Sequence, residues 1–385
     1  MKRQDRAPLT LLLLYFFFNA AYMSYFPFIT VLLRQRGFSA IQIGLLTTCT
    51  AVLNFAAQFL TGRLSRHLPG RRMMLLYLAL SAPTGFVLMI TGQSLISAAA
   101  AAALINLLDF TLIGQLDAYT LALSARDTRI QYSHMRACTA LTGAVFSFSM
   151  GRVLDLTGIQ AMAGFHAGLM LCALAVLCCL PDVLPGAPQQ STGTQGRLFC
   201  GRYILLLGCI ALVYMAWRAI IVYLPVLLTD LDGGIGLQGL SMGIASLSPL
   251  PVLLAYPWIR RHFSLRLLLP CAALVMALRV LIIALEPPVW ALVLQQAGEG
   301  LSLGLLSPGI MELLPQLVPR QNTAQAVSIV TGVQMALCTV LCSGIMAVLM
   351  RWMPLSRCFG AFGILCIPGA GGLALLAAYK KETDG

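Results

Sequence analysis

Charge is scarce in this sequence of 385 residues. Asp, Glu, Lys and Arg make up only 10% of the chain, whereas 59% of it is hydrophobic and the mean hydropathy is +0.86. A soluble globular domain carries about 25% charged residues. The composition therefore excludes a soluble enzyme and predicts an all-α protein that crosses a lipid bilayer many times.

The sequence also lacks the motifs that hold nucleotides, metals and reactive nucleophiles. It has no phosphate-binding glycine loop and no nucleophile elbow, and none of its 12 cysteines stands in a CxxC pair or at ligand spacing from a histidine. We therefore predict free thiols, no catalytic residues, no metal and no cofactor. Without a Walker motif, ATP is not expected to drive the protein.

Twelve apolar runs are present, and each is long enough to cross a bilayer as a helix, which takes about 20 residues. They are residues 9–33, 39–62, 73–92, 95–123, 133–154, 158–180, 203–229, 236–258, 265–285, 288–317, 321–350 and 354–379. We expect the first run to be a retained membrane helix rather than a signal peptide, because it holds no charge and no small-residue cleavage site follows it.

The distribution of Lys and Arg predicts the topology. With the N-terminus inside, 17 of the 25 Lys and Arg residues fall in inner loops and tails and 5 in outer loops. This asymmetry follows the positive-inside rule, so we predict both termini in the cytoplasm of a bacterial-type inner membrane. The net charge of +12 then reflects topology and not nucleic-acid binding.

A short internal match and a polar segment divide the twelve runs into six and six. YFPF at residues 25–28 recurs as YLPV at 223–226, an offset of 198 residues, and an Arg-His pair recurs at an offset of 195. Residues 181–197 are rich in Pro, Gly, Ser, Thr and Gln, as flexible linkers are. The predicted domains are an N-terminal half at 1–183, a cytoplasmic linker at 184–201 and a C-terminal half at 202–385.

The apolar runs of the N-terminal half contain the charged residues Asp109, Asp117 and Arg136. An isolated charge at the bilayer centre costs about 2.5–3.5 kcal/mol, which pairing or a water-filled cavity can offset. Ideal helix geometry places the two aspartates towards one polar side of their helix. We expect Asp117 and Arg136 to form the central functional pair. An ion pair that only locks two helices together is the alternative.

The C-terminal half carries its own charges inside apolar runs, Arg218, Arg279 and Glu299. Burial favours the neutral form of a glutamate, and a nearby arginine favours its charged form. Movement of Glu299 between those surroundings can therefore carry a proton. A static bridge from Glu299 to Arg279 is the alternative. Arg218 is expected to line a cavity or to stack on the neighbouring indole of Trp217.

The segment TGRLSRHLPGRRMM at 61–74 resembles the signature loop between helices 2 and 3 of the major facilitator superfamily. Gly62, Arg71 and Arg72 fit the pattern of that loop, whereas Arg66 stands where the family has an aspartate. The resemblance implies a cytoplasmic gating loop at these four residues. The reversed charge implies that the family's usual gating contact is replaced by others.

A closer resemblance is to the oligosaccharide–proton symporter branch, of which lactose permease is the type member. AAYMSYFPF at 20–28, SAIQIGLL at 39–46 and Tyr132 followed by Arg136 are similar to that branch. The resemblance implies a major facilitator fold with 12 transmembrane helices in two pseudo-symmetric six-helix halves. In this branch an acid on helix 4 and an arginine on helix 5 bind the solute, and Asp117 and Arg136 stand at those positions.

The function that the resemblance implies is secondary active transport by alternating access. We expect proton-coupled uptake of a small polar organic solute such as a sugar, a nucleoside or an aromatic acid. Asn19, Tyr22, Asn54 and Asp109 are expected to line the solute site beside the central pair. Glu299 is expected to couple transport to protons, with Arg279 and Arg218.

Two other functions are alternatives to uptake. Proton-driven efflux of drugs or metabolites by the same fold is the alternative, although the fifth run holds glycines but not the proline of a typical export signature. A membrane receptor or assembly factor is less favoured, because the chain has no soluble sensory domain. The expected partners are a solute, protons and the lipid bilayer, with the protein a monomer.

Overall fold

A computed structural model describes residues 7–64, 70–90, 95–124, 127, 129–130, 132–181, 200–231, 234–319 and 323–378. These residues form helices joined by short turns, and none of them lies in a β-strand. All twelve cysteines are free thiols, as predicted. Because a helix satisfies its backbone hydrogen bonds within itself, this architecture suits a chain surrounded by hydrocarbon.

Distances between Cα atoms group the chain into two compact units. Unit 1 comprises Met1–Gln190 and Asp232–Gly243, and unit 2 comprises Ser191–Leu231 and Ile244–Gly385. The predicted halves, 1–183 and 202–385, differ from this grouping mainly in Asp232–Gly243. This segment belongs to the second half of the sequence but groups with unit 1, which no local pattern predicts.

Seven helices of unit 1 come from the first half of the sequence. They are α1 (Ala7–Tyr25), α2 (Ile29–Gln35), α3 (Ala40–Leu64), α4 (Gly70–Ile90), α5 (Leu95–Ser124), α6 (Tyr132–Thr157) and α7 (Ala161–Cys178). The first apolar run is divided into α1 and α2 at residues 26–28. Pro27 lies in this turn, where its missing N–H costs no helical hydrogen bond.

The core of unit 1 is apolar and lies among α1, α4, α5 and α7. Its members recur at spacings of three and four residues along each helix, the period of a single helix face. They include Leu11, Leu14, Phe18, Met74, Leu78, Leu112, Leu116, Met170 and Leu177. Lipid tails are as apolar as these side chains, so close packing rather than exclusion from water favours the contacts.

The remaining helices are α8 (Gly201–Asp230), α9 (Gly234–Leu247), α10 (Pro249–His262), α11 (Leu265–Ala284), α12 (Val289–Leu294), α13 (Gly298–Leu317), α14 (Thr323–Gly332), α15 (Cys338–Leu349) and α16 (Leu355–Ala378). A 3₁₀ turn at Gln295–Ala297 joins α12 to α13, and a π-helical segment at Val333–Leu337 joins α14 to α15. In unit 2, α16 packs on α8 and α11, and α13 packs on α10 and α11. Irregular turns of this kind frequently mark functional positions.

Ten helical stretches of the described residues are long and apolar enough to cross a membrane. They correspond to ten of the twelve predicted runs. The run at 73–92 lies in α4, and the run at 288–317 is interrupted by the 3₁₀ turn; neither is among the ten.

Large apolar side chains point outward from these helices. Leu254, Leu285 and Leu375 are 83%, 81% and 71% exposed, respectively. Hydrocarbon accommodates such surfaces better than water does. The protein is therefore an all-α, multi-pass membrane protein.

Candidate functional site

Polar side chains lie along one side of α1 in unit 1. Tyr15, Asn19 and Tyr22 follow one another at spacings of four and three residues, which places them on one helix face. The hydroxyl of Tyr15 donates to Oδ1 of Asp117 at 3.1 Å, and Nδ2 of Asn19 donates to the carbonyl oxygen of Thr139 at 2.7 Å. This face of α1 therefore contacts both α5 and α6.

The two members of the predicted central pair lie on these same two neighbours of α1. Asp117 belongs to α5 and is partly exposed. Arg136 belongs to the start of α6, and its side chain lies outside the described residues. An Asp117–Arg136 pair therefore stays a prediction. The chemistry of the two groups is complementary to a hydroxylated solute, because a carboxylate accepts hydrogen bonds and a guanidinium donates them.

Asn54 and Tyr22, both predicted to line the solute site, have different surroundings. Asn54 in α3 is 9% exposed, and its Oδ1 has no hydrogen-bond partner among the described residues. Tyr22 stacks on Phe26 with 4.7 Å between ring centroids. A buried amide oxygen left unpaired costs about 1–3 kcal/mol, so Asn54 is a position where a solute hydroxyl would gain a hydrogen bond.

Asp109 lies on the same helix as Asp117 but has different neighbours. It is fully buried, and the Ser81 hydroxyl on α4 donates to its Oδ1. Nε2 of His166 on α7 lies 2.9 Å from its Oδ2. Both carboxylate oxygens already have protein partners, so these contacts do not favour the expected role of Asp109 in binding solute.

His166 is the functional candidate that sequence reasoning missed. It is fully buried in α7, and the Tyr25 ring packs edge-on against its imidazole with 4.9 Å between centroids. The available signal was its position inside the apolar run at 158–180. An ionisable side chain within a membrane helix needs a polar partner, and Asp109 is 57 residues away in sequence.

Unit 2 holds a second buried acid, Glu299, in the first turn of α13. Nη2 of Arg279 on α11 donates to Oε2 of Glu299 at 3.0 Å, and Nε1 of Trp217 on α8 donates to Oε1 at 3.2 Å. Glu299 is 7% exposed and Arg279 is 2% exposed. The structure thus brings together two residues that the sequence singled out as candidates for proton coupling.

Arg279 is held by several groups besides Glu299. Its Nε and Nη2 donate to the side-chain oxygens of Gln295 and Gln296 at 3.2 and 2.7 Å, and its Nη1 donates to Oγ of Ser302 at 3.0 Å. A Cβ atom on Gly298 would lie 3.0 Å from Cδ of Arg279, so a larger residue there would require the Arg279 side chain to shift. The 3₁₀ turn therefore presents both glutamine side chains to the guanidinium.

Arg218, the third residue of the predicted coupling group, has a different setting. Its Nε donates to Oγ1 of Thr339 at 2.6 Å, and its guanidinium carbon lies 5.5 Å from the centroid of the Trp217 ring. Because Trp217 also donates to Glu299, one indole connects Arg218 to the buried acid.

The gating-loop residues are only partly described. Arg66 lies outside the described residues, and Gly62 lies near the C-terminus of α3. Nη2 of Arg71 donates to the carbonyl oxygen of Cys178 at 2.9 Å, near the C-terminus of α7. A cation is favourable at that end of a helix. Arg72 is exposed.

No group of three or more His, Cys, Asp or Glu side chains within the described ranges is arranged to hold a metal ion. The polar clusters are instead pairs and hydrogen-bond networks around Asp117, Asp109 and Glu299. Chemically, such groups can bind hydroxylated solutes and exchange protons.

Comparison with known proteins assigns the chain to a family. A family model described as the MFS_1 like family matches residues 9–360. The maltose permease of Geobacillus stearothermophilus is 25% identical over 386 residues, which cover 96% of this chain and 94% of that protein.

Solved structures share the fold. The nucleoside transporter NupG matches with a TM-score of 0.80 at 14% identity, covering 97% of this chain and 100% of that one. The peptide transporter POT in complex with sulfate matches with a TM-score of 0.76 at 14% identity, covering 98% of each chain. At such identities the likeness concerns the fold alone, and that fold is the all-α major facilitator fold.

The family match runs over nearly the whole chain, and the polar clusters lie inside helices that are otherwise apolar. This protein therefore belongs to the MFS_1 like family and is a membrane transporter of the major facilitator type, not an enzyme.

Proposed function

We propose that this transporter takes up a small polar organic solute, a sugar, a nucleoside or an aromatic acid, together with a proton. It works by alternating access, as a secondary active transporter. The observation that carries the proposal is the buried Glu299 of α13, held at 3.0 Å by Arg279, which lies in a helix long and apolar enough to cross a membrane. Ionisable groups in such positions are expensive to keep and are functional by default.

Glu299 is the proposed coupling residue. Arg279 stabilises its charged form, and departure of the guanidinium would leave a buried carboxylate that binds a proton. The guanidinium has alternative acceptors in Gln295 and Gln296, so it can stay satisfied when Glu299 becomes neutral. Arg218 acts in the same group through the shared indole of Trp217.

The proposed solute site lies in unit 1, on the polar side of α1. Asp117 and Arg136 bind the solute directly, and Asn19, Tyr22 and Asn54 line the site. Hydroxyl-rich solutes suit these groups, and both maltose and nucleosides, which the names of similar proteins mention, are of that kind. Asp109 is left out of the solute-binding set, because Ser81 and His166 occupy its two oxygens.

Gating and topology complete the proposal. Gly62, Arg66, Arg71 and Arg72 form a cytoplasmic gating loop, supported by the contact from Arg71 to the end of α7. The protein is a monomer in a bacterial-type cytoplasmic membrane, with both termini in the cytoplasm. A fluorescent-protein fusion at the C-terminus is expected to fluoresce and a periplasmic phosphatase fusion to be inactive; the reverse pattern would refute this orientation.

The test of the proposed function uses purified protein in liposomes with a pH dye trapped inside. Sugars, nucleosides and aromatic acids are added outside in turn, without a membrane potential. We expect one class to acidify the lumen, and Asp117→Asn to abolish that response. If no class changes the pH while a labelled solute shows counterflow, proton symport is refuted and Glu299 becomes a structural charge.

A further inference from the structure

The buried pair of Asp109 and His166 has no part in the solute site or the coupling group described above. Both side chains are fully buried in unit 1. Nε2 of His166 lies 2.9 Å from Oδ2 of Asp109, and the Ser81 hydroxyl donates to the other carboxylate oxygen. Three helices, α4, α5 and α7, therefore contribute one side chain each to this cluster.

With Asp109 ionised, its contact with Nε2 selects one tautomer of His166. A carboxylate is only an acceptor, so Nε2 has to carry the proton that it donates to Asp109. In the neutral ring Nδ1 is then a bare acceptor. This Nδ1 is buried and has no hydrogen-bond partner among the described residues. It is the one ring atom on which a further proton can be placed without breaking the contact to Asp109.

The charge of the Asp109–His166 pair favours a second proton on His166, at Nδ1. With a neutral imidazole the pair carries a net charge of −1 in a site closed to water, and protonation of Nδ1 brings the net charge to zero. Among the described residues, the polar groups that face the pair are uncharged as well: the Ser81 hydroxyl from α4, the Tyr25 phenol from α1 with Tyr22 beside it, and Asn106 of α5 at the Tyr25 hydroxyl. A buried charge is tolerated when it is paired.

We propose that Asp109 and His166 form a proton-binding site in unit 1, with Nδ1 of His166 as the atom that takes the proton. A hydronium ion delivers the proton, an N–H bond forms, and water is released. On deprotonation the proton returns to water, and the carboxylate keeps its hydrogen bond from Nε2.

Aromatic contacts connect this proton site to the proposed solute site. The Tyr25 ring lies 4.9 Å from the His166 ring and 5.8 Å from the Tyr22 ring, measured between centroids. A solute that displaces Tyr22 would therefore move the ring that packs on His166. The proton site stands without the proposed function, whereas this link to the solute depends on it.

Nitrogen NMR of the histidine rings tests the proton site directly and needs no solute. Full-length protein with ¹⁵N-labelled histidine in lipid nanodiscs is titrated over roughly pH 5–8, the range in which histidine changes charge. Loss of one signal in His166→Gln identifies His166 among the four histidines. We expect a ring that exchanges between the neutral Nε2–H tautomer and the doubly protonated form.

Removing the Asp109 carboxylate should change the proportions of charged and neutral His166. In Asp109→Asn we expect the ratio of charged to neutral His166 at a given pH to fall by about tenfold or more, because the imidazolium loses its buried counter-charge. Asp117→Asn is the matched control, because it removes an acid two turns away on α5. We expect it to change the ratio less than about threefold.

Two results would overturn the proposal. One is a wild-type His166 that stays neutral throughout, or that carries its proton on Nδ1 alone. The other is an unchanged ratio in Asp109→Asn. The wild-type spectra decide the matter even if a variant does not fold. Addition of a transported solute then tests the link through Tyr25, which is supported if the charged fraction changes and refuted if it does not.

Discussion

Units 1 and 2 each bury an acid in a helix, Asp109 in α5 and Glu299 in α13, but the partners of the two acids differ in chemistry. Asp109 faces a histidine, which can change its charge near neutral pH, and Glu299 faces an arginine, which cannot. We therefore propose that the carboxylate exchanges the proton in unit 2 and the imidazole in unit 1.

Arg279 and His166, the partners of the two acids, also differ in how many other hydrogen bonds they make. Arg279 has hydrogen-bond acceptors beyond the acid in Gln295 and Gln296. His166 has none at Nδ1 among the described residues. Because Arg279 has several acceptors, it keeps hydrogen bonds when Glu299 becomes neutral. Nδ1 of His166 has no partner among the described residues, so it is the atom that can accept a proton.

The largest effect on stability is expected from Arg279→Gln. Removing one partner of a buried ion pair leaves an uncompensated charge and costs about 3–5 kcal/mol. The cost should shrink in the double variant with Glu299→Gln, which leaves no unpaired carboxylate. Unfolding in detergent measures it. Arg266→Gln, an exposed arginine that donates to Ala378, is the control and should stay near wild type. A value for Arg279→Gln within about 1 kcal/mol of wild type would contradict a stabilising role for the pair.

Loss of a solute-binding charge comes next. Asp117→Asn and Arg136→Gln should each weaken solute binding by about 1.5–3 kcal/mol, or roughly 10- to 150-fold, because each removes a charged hydrogen-bonding group. Calorimetric titration of the purified protein measures this. Asp127→Asn makes the matched change outside the helices, where hydrogen bonds from Arg129 hold the pKa of Asp127 below its usual value. Equal weakening in Asp127→Asn would remove Asp117 from the site.

Glu299→Gln separates binding from coupling. A neutral amide cannot exchange the coupling proton, so we expect solute binding and counterflow to persist while uptake against a gradient is lost. Accumulation of labelled solute in liposomes under a pH gradient measures it. Wild-type accumulation in this variant would leave Asp109 and His166 as the better candidate for coupling.

Removal of a single hydroxyl beside each pair is expected to have a smaller effect on stability. Ser81→Ala removes one of the two hydrogen bonds described at Asp109 and should cost about 1.5–3 kcal/mol. Ser302→Ala removes one of several acceptors of Arg279 and should cost less. Unfolding of both variants side by side measures the difference. A larger cost for Ser302→Ala would contradict the inference that Arg279 has more alternative hydrogen-bond partners than Asp109.

The smallest effect on binding is expected from Arg66→Asp, which restores the family's acidic residue in the gating loop. We expect a changed transport rate with unchanged solute affinity. Rates of counterflow and calorimetric affinities, measured on the same preparation, test this. Loss of binding would count against a gating role for the loop.

A contact between two neighbouring apolar runs could be predicted from the sequence, whereas a contact between more distant runs could not. Arg279 and Glu299 are 20 residues apart in adjacent runs, and the structure places them in contact. Asp109 and His166 are 57 residues apart with a whole helix between them, so no spacing rule connects them. The interruption of the tenth run at Gln295–Ala297 also has no strong local signal, since no proline or glycine lies within it.

By itself the sequence determined the membrane class, the number and approximate bounds of the apolar runs and the charges to be accounted for. These follow from composition and from the length of each run, which are local properties. Only the tertiary structure decided which residue each of these acids contacts: Tyr15 for Asp117, His166 for Asp109 and Arg279 for Glu299. The reason is physical. Every polar face inside an apolar helix needs a partner, but helix packing alone selects the neighbouring face that supplies it.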